Sequence, residues 1–139
     1  MIYLRQYDRR ARLEIYSGLA SKETGSVCLV SVQMRPFVES AGVWMWYGSV
    51  RGNGAGYDIA LNASLSIQGE ITALAHECAH ILRRDIDSRT WSQSEIAQWQ
   101  REQANRSQAQ VQALAQVEKS ADEIADEILT RWQNAGVIW

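Results

Sequence analysis

The chain has 139 residues, 46% hydrophobic and 22% charged, the balance of one globular domain (1–139) with room for a core. A formal net charge of −2 and a pI near 5.7 leave no basic footprint for direct nucleic-acid or anionic-membrane binding. No apolar run approaches a membrane span, residues 1–10 lack a signal-peptide core, and Cys28 and Cys78 make no disulfide framework, so the expectation is a reduced, cytoplasmic protein.

In chain order, Asp8 to Ala20 reads as a helix: Leu13, Tyr16, Leu19 and Ala20 form a loose apolar stripe. Arg9, Arg10, Arg12 and Glu14 are expected to solvate its other side, and Gly18 to weaken its end. Residues 22–25 read as a turn. Val27 to Gln33 is dense in β-branched residues and reads as a strand, ended by Pro36, the single proline. Gly42 to Gly48 is a second expected strand, with Trp44 and Trp46 on one face. The glycine-rich stretch Arg51 to Gly56 is expected to be a hairpin loop, because the Lys-Ser or Lys-Thr of a phosphate loop is missing and no helix follows. Tyr57 to Asn62 alternates like a third strand, and short connections favour antiparallel pairing.

The next helix is expected from about Gln68 to Arg84, capped by Ser64 or Ser66. It carries His76-Glu77-Cys78-Ala79-His80, an H-E-x-x-H pattern that uses both histidines of the chain. Helical residues four apart share a face, with Cβ atoms about 5–6 Å from one another, so the two imidazoles can grip one metal ion. Glu77 lies about 100° further round, beside the metal, where it can take a proton from a metal-activated water. Imidazole and carboxylate ligands with an open position favour zinc. A helix with two solvent-facing histidines is the plain alternative. Against it, Ile71, Leu74, Ala75, Cys78, Ile81 and Leu82 form an apolar stripe opposite His76 and His80. Cys78, on that stripe, reads as a small buried residue.

After a break at residues 85–90, Ser92 to Gln112 is polar and Gln-rich, with a thin stripe of Ile96, Trp99, Ala104 and Val111. A surface helix is the expectation and a disordered linker the alternative. A last helix is expected from about Gln112 to Asn134, stopped by Gly136, with Leu114, Val117, Ala121, Ile124, Ile128 and Trp132 buried.

Catalytic zinc takes three protein ligands and a water. With no third histidine, the remaining ligand is a carboxylate or Cys. Glu118 is the best placed, since it borders the buried stripe of the last helix, whereas Glu123 and Glu127 project towards solvent. Asp122, one turn on from Glu118, can accept the free N–H of a ligand histidine and so fix its ring. Both are alternatively plain surface carboxylates.

Residues 59–62, Ser64 to Ser66 and the motif stretch 71–82 resemble the strand-to-helix unit of the ImmA/IrrE metallopeptidases. Residues 118–125, Glu-Lys-Ser-Ala-Asp-Glu-Ile-Ala, resemble that family's second motif, E-x-x-A-N-x-F-A; the likeness spans roughly residues 8–132. Departures are Cys78-Ala79 for the usual Leu-Gly, Asp122 for Asn, Ile124 for Phe, a long stretch between the motifs, and no Met-Pro after the last helix.

The resulting expectation is an α+β, zincin-like domain. It has an N-terminal helix, a small three-stranded, mainly antiparallel sheet, the H-E-x-x-H helix, a surface helix and a Glu-bearing C-terminal helix. The resemblance implies a zinc endopeptidase: His76, His80 and Glu118 hold zinc, Glu77 is the general base, and Asp122 supports a ligand. Tyr47, Tyr57 and Arg84 are candidate donors to the oxyanion. The implied partner is a protein or peptide substrate, typically a helix-turn-helix repressor. A non-catalytic, metal-stabilised binding or antitoxin-like module, or a zinc hydrolase of another class, are the other readings.

Overall fold

The computed structural model describes residues 1–34, 39–40, 42–43, 47–85, 94, 98, 101 and 107–139. Its first helix, α1 (Arg9–Thr24), starts where the Asp8 carboxylate accepts the Ala11 N–H at 2.9 Å, and ends where Gly25 takes a left-handed φ of 69°. Gly18 does not end it, and the expected turn at 22–25 is mostly helical. One interior glycine costs only about 1 kcal/mol, while Tyr16 and Ala20 are buried on either side of it.

The sheet is mixed, not mainly antiparallel. Its strands β2 (Cys28–Gln33), β5 (Gly48–Gly52) and β6 (Tyr57–Asn62) lie in the order β2-β6-β5. Central β6 runs parallel to β2 and antiparallel to β5. The β5–β6 turn is tight and forces reversal, whereas residues 34–56 between β2 and β6 are long enough for a parallel return. Strand β5 also occupies part of the expected glycine-rich loop. Gly52 pairs with Tyr57, and the turn shrinks to residues 53–56, closed by the Asn53 side chain accepting the amides of Ala55 and Gly56 at 3.0 and 2.8 Å. Of the expected strand 42–48, Gly42–Val43 (β4) pairs antiparallel with Glu39–Ser40 (β3), Gly48 opens β5, and Trp44 to Trp46 lie outside the described residues.

Helix α2 (Ile67–Leu82) follows β6, with the Ser66 side chain accepting the Gly69 amide at 3.1 Å. The expected stripe packs on the inner face of the sheet, where Cys28, Val30, Ile59 and Leu61 are buried, except that Leu82 in the last turn is exposed. The last helix, α3 (Gln108–Asn134), starts four residues before the expected point because Ser107 and Gln110 form a reciprocal capping box. Ala121, Ala125, Ile128 and Trp132 are its buried positions. Gly136, at φ 94°, turns the chain into β7 (Val137–Ile138), which pairs parallel with β1 (Ile2–Tyr3) and ties the two termini together. Of the expected surface helix, Ser94, Gln98 and Arg101 are helical and exposed, and its other residues before Ser107 lie outside the described ones.

Arg12 does not merely solvate α1. Its Nε donates to Glu70 Oε1 at 3.0 Å, the Tyr16 hydroxyl donates to the same oxygen at 2.9 Å, and Glu70 is fully buried at 0% exposure. This carboxylate in the first turn of α2 is what locks α1 onto α2. Glu70→Ala strands both donors. It should destabilise the fold by roughly 2–3 kcal/mol, below the range for a wholly enclosed pair because Arg12 keeps some water contact. Tyr16→Phe should cost about 1 kcal/mol. Urea unfolding of the two variants checks this; a Glu70→Ala effect no larger than that of Tyr16→Phe would contradict it.

Candidate metal centre

His76 and His80 lie in the last two turns of α2, which pack against the sheet and the other helices. Their rings stand edge to face with centroids 4.7 Å apart, and their Nε2 atoms approach to 3.1 Å. Glu118 reaches across from α3, with Oε2 2.8 Å from His76 Nε2 and Oε1 3.3 Å from His80 Nε2. The structure therefore brings His76, His80 and Glu118 into one cluster able to hold a metal ion.

The outer nitrogens define the tautomers. His76 Nδ1 lies 2.8 Å from Asp122 Oδ1, and His80 Nδ1 lies 2.9 Å from Asp85 Oδ2. An ionised carboxylate only accepts, so each Nδ1 carries a proton, and in a neutral ring Nε2 is then the atom that presents a lone pair. Two lone pairs and a carboxylate thus point at one another. That arrangement is repulsive by itself and is satisfied by a cation among them. Ligands about 2.0–2.1 Å from a tetrahedral metal ion lie about 3.3 Å from each other; the separations here, 2.8, 3.1 and 3.3 Å, are equal to that or somewhat shorter, so the three groups are close enough to share one ion.

Glu77 is buried, at 6% exposure, on the sheet side of the cluster. Burial pushes its carboxyl up to about 7, against the pull of His76 and His80 and with a smaller push from Glu118. A carboxyl so poised can both accept and return a proton near neutrality. Strand β5 makes room for it: a Cβ on Gly48 would stand 2.8 Å from the Ala60 carbonyl and 3.6 Å from Glu77 Oε1. Cys78 points the other way, fully buried, and burial raises its thiol far above the ordinary range, so it is neither ligand nor nucleophile.

Of the candidate oxyanion donors, Tyr57 belongs to the core at the far end of β6, paired with Gly52 and not with the Gly48 end that meets Glu77. Tyr47 directly precedes Gly48 and is exposed, and Arg84 lies just past the end of α2. Asp85 is the site residue that sequence reasoning missed. Partial burial opposes its ionisation, but hydrogen bonds from His80 and Arg83 outweigh this and hold it below the usual carboxylate range. Its one sequence signal is an acid placed immediately beyond the motif helix.

Compared with protein-family models, curated proteins and solved structures, the chain matches none. Among the described residues no helix is long and apolar enough to cross a membrane.

Four alanine variants separate the carboxylates of α3. Glu118→Ala should lose zinc affinity by more than the 10–100-fold, in order of magnitude, expected for Asp122→Ala, which removes only the partner of His76 Nδ1. Glu123→Ala and Glu127→Ala, both at exposed positions, should bind like the wild type. Competition with a chromogenic chelator ranks the four, and loss of affinity in Glu123→Ala with retention in Glu118→Ala would overturn the assignment.

Proposed function

We propose that the chain is a zinc-dependent endopeptidase of the ImmA/IrrE kind, acting on a protein substrate in a reducing, cytoplasmic compartment. The single observation that carries the reading is the convergence of His76 Nε2, His80 Nε2 and the Glu118 carboxylate beside a buried carboxyl poised near neutrality. A structural metal site has no need of that carboxyl. When bound, zinc supplies the Lewis acidity that polarises a scissile carbonyl and acidifies water.

The chain's own residues do the rest. Glu77 accepts the proton of the attacking water and returns it to the leaving amine, so one group serves as base and then acid. Asp122 and Asp85 hold the two imidazoles with Nε2 inward. Strand β5 is at the edge of the sheet and its first residue, Gly48, meets Glu77, so an extended peptide pairing along β5 would pass its backbone beside the general base. The likeness to the ImmA/IrrE motifs suggests a helix-turn-helix repressor as the substrate.

A second reading has its own support. Two ligands sit on α2 and the third on α3, so a metal would also staple these helices together, as in a metal-stabilised binding or antitoxin-like module. Glu77→Gln separates the two. The amide keeps the size of the side chain but cannot take the proton, so zinc content should stay at the wild-type level while cleavage falls by about 10²–10⁴-fold. The readout is mass spectrometry of a proteome-derived peptide library incubated with zinc-loaded protein, with a chelator control. Chelator-sensitive cleavage surviving in Glu77→Gln would exclude the mechanism, and absence of cleavage by the wild type with zinc held would favour the module.

A further inference from the structure

We propose that Asp85 is the positioning residue for His80, delivered by a helix-end turn that makes the His80 part of the site self-contained on α2. The inference rests on reading His76, His80 and Glu118 as a metal site.

The backbone past Leu82 follows a defined pattern. Arg83 closes the helix in the right-handed region, and Arg84 then takes a φ of 62°, the one positive φ outside glycine among the described residues. The Arg84 amide donates to the Ile81 carbonyl at 3.0 Å, and the Asp85 amide donates to the His80 carbonyl at 3.1 Å. These two bonds make the helix-ending motif whose left-handed position is normally glycine. In that motif the residue after the left-handed one is folded back over the position five before it, usually as an apolar contact. Here the two positions are Asp85 and His80, and the contact is a carboxylate on an imidazole.

The turn is strained by a non-glycine residue, and what it achieves is chemical. Asp85 Oδ2 accepts from His80 Nδ1 at 2.9 Å and from Arg83 Nε at 3.0 Å. Arg83 holds the carboxylate in place, so the imidazole donates from Nδ1 and, when neutral, presents its Nε2 lone pair to the metal position. His76 is served differently. Its partner Asp122 is on α3, in the same helix as Glu118 and largely exposed, so the orientation of that ring depends on how α3 docks. His80 is oriented by its own helix end, independently of α3. The site is thus built as one preset imidazole, followed by a ring and a carboxylate that α3 completes.

The test uses the full chain as wild type, Asp85→Ala and Asp85→Asn, with two readouts. The first needs no metal: imidazole nitrogen–proton correlation spectra of the metal-free protein, whose nitrogen shifts tell the Nδ1–H tautomer from the Nε2–H one. With only two histidines in the chain, each ring is assigned by removing one. The second is zinc affinity by chelator competition. Wild-type His80 should be the Nδ1–H tautomer. Asp85→Ala should shift it towards Nε2–H and weaken zinc on the order of 10–100-fold, and Asp85→Asn, whose amide oxygen still accepts, should restore most of both. An unchanged tautomer in Asp85→Ala overturns the proposal, as does unchanged zinc affinity in a wild type that binds zinc. A wild type that takes up no zinc while the tautomer still shifts retires the metal reading and leaves Asp85 as the residue that orients His80.

Discussion

Two imidazole nitrogens and a carboxylate, each with a lone pair aimed at the others from about 3 Å, repel unless positive charge lies among them. The surroundings of α2 enforce this meeting. Asp122 and Asp85 occupy the Nδ1 side of the two rings, so neither histidine can turn its proton inward without giving up a charge-assisted hydrogen bond. Glu77 is buried next to the cluster, where desolvation raises its carboxyl to about 7, and strand β5 lies against it at Gly48. What is specific about the site follows from bringing these groups together at the rim of the core, with Glu77 buried beneath them and Glu118 and Asp122 open to solvent.

That arrangement depends on α2 being held at both ends. At its N-terminal end Glu70 collects Arg12 and Tyr16 from α1, a buried charge cluster remote from the histidines. Beneath it the central strand β6 supplies Ile59 and Leu61. At its C-terminal end the left-handed turn at Arg84 folds Asp85 back over the helix. Helix α3 is anchored by its C-terminal half, from Ala121 to Trp132, while its first turns are exposed. Glu118 therefore stands at the point where α3 passes from solvated to packed, and a metal there would extend the docked length of the helix by a turn.

Much of this is legible in the sequence because it depends on period alone. Residues four apart on a helix share a face, which is enough to pair His76 with His80 and Glu118 with Asp122, and the end of each apolar stripe locates α2 and α3 to within a few residues. What period cannot show is partner choice. The parallel pairing of β2 with β6 depends on the path of the chain between them, and the short connections expected between the strands favoured the simpler antiparallel reading. Strand β5 was hidden by glycines that suggested a loop; Gly48 is there because a side chain would strike Ala60. Arg12 and Glu70 look like surface charges until the tertiary contact that buries them exists. Asp85 was obscured most thoroughly, because its contact with His80 requires a left-handed arginine, for which the sequence carries no propensity signal.

The central claim is that His76, His80 and Glu118 bind one metal ion together, and the most direct measurement is anomalous diffraction at the zinc edge from crystals of the zinc-loaded protein. The account predicts one peak per chain about 2.0–2.2 Å from His76 Nε2, His80 Nε2 and a Glu118 carboxylate oxygen, with the Nδ1 atoms still on Asp122 and Asp85. Ordered crystals with no peak at this cluster, or a peak bound through Nδ1 or without Glu118, would contradict it.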